Sequence, residues 1–172
     1  MADSMGRALS AGRSGSPALM SAAFDWLARA QREPHLAHRE WMERGAALMP
    51  LGTRFNAVCL SARIVHAGVD TDDPETVAAA LAHLLCGPVL HHRPKQTYYA
   101  LTAPHPPTLW ARADEAPMLG AGHFLSVPAP DMLGPYGLHW VVRPRIVGDL
   151  CPVPSVAALV HIAIGTGTGG HR

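Results

Sequence analysis

The sequence predicts an α+β domain, a mixed and mostly antiparallel sheet flanked by helices. Three observations carry that reading. Apolar residues recur at helical spacing from Met20 to Met42. Short apolar runs broken by turn residues take over after Gly45. Between positions 119 and 144, LGAGHFLSVPAPDMLGPYGLHWVVRP reads as a glycine-framed strand, a proline-rich corner and a second strand carrying His139 and Trp140. The two strands are expected to form a hairpin-like pair at the centre of the sheet.

The elements follow in order. Residues 1–18 mix Gly, Ser, Ala and single arginines without an apolar run and are expected to be a disordered leader. A single domain is expected over 19–164, and GTGTGGHR at 165–172 reads as a flexible tail. Met20, Ala23, Phe24, Leu27 and Ala30 predict a first helix, with Phe24 and either Trp26 or Leu27 turned inward. A second helix opens at Pro34 and closes at Gly45. Strands are expected at 46–50 and 55–60, joined at Leu51–Gly52–Thr53, and Ser61 then caps a short helix over 62–67.

The acidic run Asp70, Asp72, Asp73 and Glu75 has a metal site as one reading and helix-start chemistry as the preferred one: Asp73 as N-cap, Pro74 in the first turn and Glu75 beside the positive end of the dipole. Val77, Leu81, Leu84 and Leu85 give that helix its buried face, and Gly87 is expected to stop it. Strands at 88–92 and 96–102 flank Arg93–Pro94–Lys95, and Pro104, Pro106 and Pro107 end the pairing. Strands at 122–127 and 137–142 form the central pair. Val156, Leu159, Val160 and Ala163 mark a last helix.

Composition bounds the function. A chain of 172 residues, 48% hydrophobic and 16% charged, buries a core without staples and is not disordered throughout. A formal charge of +1 argues against a strongly basic nucleic-acid footprint. Cys59, Cys86 and Cys151 are an odd, widely spaced set with no CxxC, which implies neither a disulfide framework nor a thiolate zinc site. A cytoplasmic setting fits. The chain has no secretory apolar core and no long apolar span, so neither export nor membrane insertion is expected.

KQTYYALTAP followed by the 119–144 stretch resembles the later half of the bifunctional primase-polymerase domain of actinobacterial and phage replication proteins. PLGTRFNAVCL is similar in position to that family's strand bearing its first catalytic acid, so the likeness runs over 48–144. It implies a primase-polymerase-like fold. The family's chemistry needs paired carboxylates holding two divalent ions. Here Asn56 stands where the first acid is expected, and Thr97 or Tyr98 stands where the metal-proximal histidine is expected. No carboxylate falls between Glu75 and Asp114. The resemblance therefore implies a degenerate site without its metals.

Several constellations remain. Arg54, Arg93, Lys95 and Arg143 fall at strand ends or turns, where a sheet can gather them at one mouth suited to phosphate. Tyr98, Tyr99, Phe124 and Trp140 are placed either to stack a base or to fill the core. Among eleven histidines, His91, His92, His123 and His139 lie on or beside strands; a zinc site is one reading, semi-buried polar rings the other. Ser126 sits in no GxSxG elbow, and the cysteines fall on segments expected to be buried and inert.

The expected function is therefore non-catalytic binding or regulation on a degenerate primase-polymerase-like fold, through a protein partner or a nucleotide or nucleic-acid groove. Its candidate residues are Arg54, Asn56, Arg93, Lys95, Tyr98, His123, Trp140 and Arg143. No cofactor or metal is called for. The alternative is a metal-dependent nucleotidyl-transfer or phosphate-ester enzyme using rearranged acids such as Asp70, Asp72 or Asp114.

Overall fold

The computed structural model describes residues 16–167. The expected leader, apart from its last residues, and the last five residues of the tail lie outside the described residues. In chain order the elements are α1 (Pro17–Ala28), α2 (Pro34–Arg44), β1 (Ala46–Pro50), β2 (Asn56–Ser61), α3 (Ala62–Val69), α4 (Pro74–Leu85), β3 (Val89–His92), β4 (Thr97–Thr102), β5 (Met118–Leu119), β6 (Phe124–Pro128), β7 (Leu138–Val142) and α5 (Val153–Gly167). The class is α+β, with helices flanking antiparallel sheets. Five strands run in the order β5-β2-β4-β3-β7, and β1 and β6 form a separate pair. Every strand pairing is antiparallel, and one isolated parallel bridge links Thr102 to Cys151.

Both faces of the five-stranded sheet are covered, so successive residues along a strand enter different cores. Ala57, Leu90, Leu101 and Trp140 pack with Phe24, Leu27, Trp41, Met49 and Val127 on the side of α1, α2 and the β1–β6 pair. Val58, Leu60, Val89, Tyr98 and Ala100 pack with Val65, Leu81, Leu85, Val156 and Leu159 on the side of α3, α4 and α5. Among the described residues no helix is long and apolar enough to cross a membrane.

Local signals place most boundaries. Gly45 closes α2 in the left-handed region at φ 74°. Ser61 Oγ accepts the Ile64 amide at 3.2 Å, and Asp73 Oδ2 accepts the Thr76 amide at 3.0 Å. Both caps fall where the sequence puts them.

Other expectations change. The strands around the 119–144 stretch do not pair: β6 lies against β1, and β7 is an edge strand of the larger sheet. Pro128, Pro130 and Pro135 interrupt the connection, each lacking the amide a tight hairpin needs, so the chain leaves one sheet and joins the other. The centre of the larger sheet is β4. The short β5 beside β2 has no counterpart in the sequence reading. The first helix starts at Pro17, inside the expected leader, and α5 runs on to Gly167, into the expected tail. Leu84 is exposed rather than inward. Cys86, not Gly87, takes the left-handed position after α4 at φ 52°, and its thiol is on the surface, not in the core.

Candidate functional site

A cleft of about 620 Å³ opens where α3, the start of α4, the β3–β4 hairpin and β7 meet. Each wall has a local cause. Because Ser61 caps α3 directly at the end of β2, Arg63 and His66 follow at helical spacing and share the cleft-lining side of α3. Asp73, capping α4, sets the preceding Asp72 at the cleft mouth. A single 3₁₀ turn at Arg93–Lys95 closes the hairpin, with Gln96 left-handed at φ 48° after it. On the last wall, β3 and β7 pair His91 with His139.

The loop before β7 is fitted to this wall. The Arg93 amide donates to the Gly137 carbonyl at 3.0 Å, and the Arg93 guanidinium donates to the Pro135 carbonyl at 3.0 Å while lying 5.9 Å from the centre of the Tyr136 ring. Gly134 has φ 82°, and a Cβ there would stand 2.4 Å from Cδ2 of His139. Only glycine lets the loop approach the imidazole so closely.

The interior holds four rings. His91 stacks flat on Tyr98, with centroids 4.0 Å apart and planes 6° apart. His139 meets His91 edge-on at 5.2 Å. His66 meets Tyr98 edge-on, with its Nε2 3.2 Å from the phenol oxygen. His139 Nδ1 is 3.2 Å from the Gly137 carbonyl, whereas His91 Nε2 is buried with no hydrogen-bond partner among the described residues. Burial pushes the His91 pKa down to about 4, helped by the nearby charges of His139, His66, Arg93 and His92. Burial also lowers His139, against the raising effect of the Gly137 and Tyr136 backbone hydrogen bonds and with a further lowering from Arg93. At neutral pH both rings are uncharged. The fixed charges lining the cleft are then the guanidiniums of Arg63 and Arg93 and the carboxylate of Asp72.

This arrangement makes stability pH-dependent. His91 titrates near 6.5 unfolded and about 4 folded, so the unfolded chain takes up its proton first as pH falls. The stabilisation is complete above about pH 6.5 and lost between about pH 6.5 and 4. Discounted for solvent reaching the ring, the loss from about pH 7.5 to about pH 5 is about 1 kcal/mol. Urea denaturation at the two pH values should show this loss in the wild type and a flatter profile in His91→Phe. Equal slopes would place the titration elsewhere.

Of the eight residues the sequence singles out, the cleft contains Arg93 and Tyr98. Lys95 lines a different groove, with His92, Tyr99, Leu119, Phe124 and Leu138. Trp140, facing away from His139, lies in the core. Arg143 donates to the Pro130 carbonyl at 3.2 Å. Arg54 sits in the bend between β1 and β2, and His123 lies exposed before β6. Asn56 is at the far end of β2, buried, donating to the His105 carbonyl at 2.8 Å, with its own Oδ1 unpartnered. The cations are therefore not gathered at one mouth.

The sequence reading missed Arg63 and His66, whose i, i+3 spacing was the available signal, and named Asp72 without placing it here. His91 and His139 come together as neighbouring strands allow, but His92 enters the other groove and His123 is remote. Among the described residues no three His, Cys, Asp or Glu side chains are placed to hold a metal ion, and Asp70, Asp72 and Asp114 do not converge. Compared with family models, with curated proteins and with solved structures, the chain gives no match.

Proposed function

We propose that this chain is a binding protein, with no catalytic group of its own, that holds the phosphate of a small phosphorylated ligand of the nucleotide class. The observation that carries the reading is a single cleft lined by Arg63, Arg93, three histidines and Gln96. Guanidinium forks and ring N–H groups are the donors phosphate oxygens prefer. At about 620 Å³ the cleft is also in the usual size range for small-molecule sites. A primase-polymerase-like ancestry of the frame is part of the proposal and rests on the sequence motifs alone. Asn56 marks the groove that ancestry implies, and it lies at the opposite end of β2 from the cleft. The ligand site is accordingly proposed as a separate feature. The same proposal places the protein in the cytoplasm, in keeping with its three free cysteines.

Calorimetric titration with ATP, AMP and inorganic phosphate in the presence of EDTA tests the reading. Saturable binding without divalent metal is expected. Arg63→Ala, an exposed side chain, should weaken it about tenfold, as loss of one charge-assisted contact does. No binding by any probe would overturn the assignment and leave the protein-partner expectation in its place. Primer extension or phosphate-ester turnover dependent on Mn²⁺ would overturn it in favour of an enzyme.

A further inference from the structure

We propose that anion binding in this cleft takes up a proton onto the His91–His139 pair, so that the site holds its ligand more tightly as the medium becomes mildly acidic. The inference rests on the binding reading above and assigns that site its regulation. Its basis is geometric. Two imidazoles from paired strands meet edge to face at 5.2 Å, and one of them, His91, carries a buried Nε2 without a partner among the described residues.

Burial, together with the groups facing the pair, favours the neutral rings. From α3 come Arg63 and His66, and from the hairpin turn come Arg93 and the uncharged Gln96. Tyr98 of β4 covers one face of His91, and α4 contributes the apolar Pro74 and Val77, while its cap Asp73 and first-turn Glu75 line an adjoining groove with His139. The loop before β7 offers the Gly137 carbonyl to His139. Asp72 is the carboxylate that lines this cleft among the described residues. Burial is the largest cause of the lowered pKa of both rings; Arg93 lowers both further, and His139, His66 and His92 add to the lowering at His91.

A bound dianion reverses that balance. It lies among the same cations and turns the repulsion felt by an imidazolium into attraction. The proton is drawn from solvent, no covalent bond changes, and the liganded site is one proton richer. By linkage, affinity then rises as pH falls, approaching about tenfold per pH unit for one proton.

Sulfate is the cleanest probe, because it remains a dianion throughout mildly acidic and neutral pH. Titration calorimetry with sulfate and with ATP, in two buffers of different ionisation enthalpy, counts the protons. Uptake approaching one per site is expected near neutral pH, with binding tightening several-fold per pH unit as pH falls. Proton NMR of the imidazoles should show the His91 or His139 midpoint moving up when sulfate saturates the site. His91→Phe keeps a flat ring against Tyr98 but cannot take a proton. Provided its circular dichroism matches wild type, it should bind with reduced uptake and a flatter pH profile. Binding with no proton uptake, or unchanged uptake in His91→Phe with unmoved midpoints, would overturn this inference and leave the binding site standing. No binding by either anion at any pH would overturn the reading beneath it as well.

Discussion

Replacing Trp140 by alanine is expected to lower the unfolding free energy by about 3–5 kcal/mol. Trp140 is among the largest fully enclosed side chains of the protein, at 2% exposure. Its indole meets Phe24 of α1 edge to face at 5.6 Å, and Phe24 in turn meets Trp41 of α2 at 5.4 Å. Two polar ties add to this packing. The indole N–H donates to the Pro128 carbonyl at 3.0 Å, and the Trp140 amide donates to the Met132 carbonyl at 2.7 Å. One residue of β7 thus joins the five-stranded sheet to the end of β6 and to α1, and through Phe24 to α2. Alanine removes the aromatic contacts and leaves a void between layers that cannot close independently. Trp140→Phe separates the contributions: it keeps most of the volume but orphans the Pro128 carbonyl, for about 1–2 kcal/mol. Urea denaturation should show a lower midpoint for both variants, in that order. A loss under about 1 kcal/mol for the alanine variant would mean that the two sheets are held together elsewhere.

The same residue shows where sequence reasoning reaches its limit. Trp140 is expected from sequence at a binding surface, yet its neighbour His139 faces the cleft while Trp140 fills the opposite core. In a sheet with one wet face, alternation of polar and apolar residues would have told the two apart. Here both faces are covered, so LHWVV carries no such contrast. Signals that act within one turn of chain were legible for the opposite reason. Ser61, Asp73 and Gly45 satisfy backbone groups a few residues away, and no distant partner can change that chemistry. Pairing across the chain was not legible. Nothing in AALMP says that it lies against Phe124–Pro128, some eighty positions on, rather than beside its neighbour β2. The cleft inherits that difficulty. Arg63 and His66 are local to α3, but Arg93, His139 and Pro135 reach it only through the β3–β7 register and the loop docked on Arg93.

Gly87→Ala is expected to cost about 2–4 kcal/mol, although a single methyl is all that it adds. A Cβ at position 87 would stand 2.4 Å from the Cys151 amide nitrogen and 2.5 Å from the Leu150 carbonyl carbon. Both are backbone atoms, so no side-chain rotation relieves the contact. The segment pressed against Gly87 is held on its other side as well: the Cys151 amide donates to the Leu101 carbonyl at 2.7 Å, and its thiol donates to the Pro88 carbonyl at 3.4 Å. Making room means lifting residues 150–151 off the end of β4, which breaks the Thr102–Cys151 bridge and shifts the start of α5. Because α5 packs Val156, Leu159 and Val160 into the second core, the displacement is transmitted to α3 and the cleft wall it carries. The control is Gly165→Ala, where an added Cβ meets nothing within 4 Å among the described residues. That exposed helical position should gain about 0.5–1 kcal/mol from the lower entropy of the unfolded chain. Denaturation midpoints moving in opposite directions for the two variants would assign Gly87 to close backbone approach. A neutral Gly87→Ala would mean that the segment at Cys151 yields freely, and that the end of β4 is not a fixed seat for the last helix.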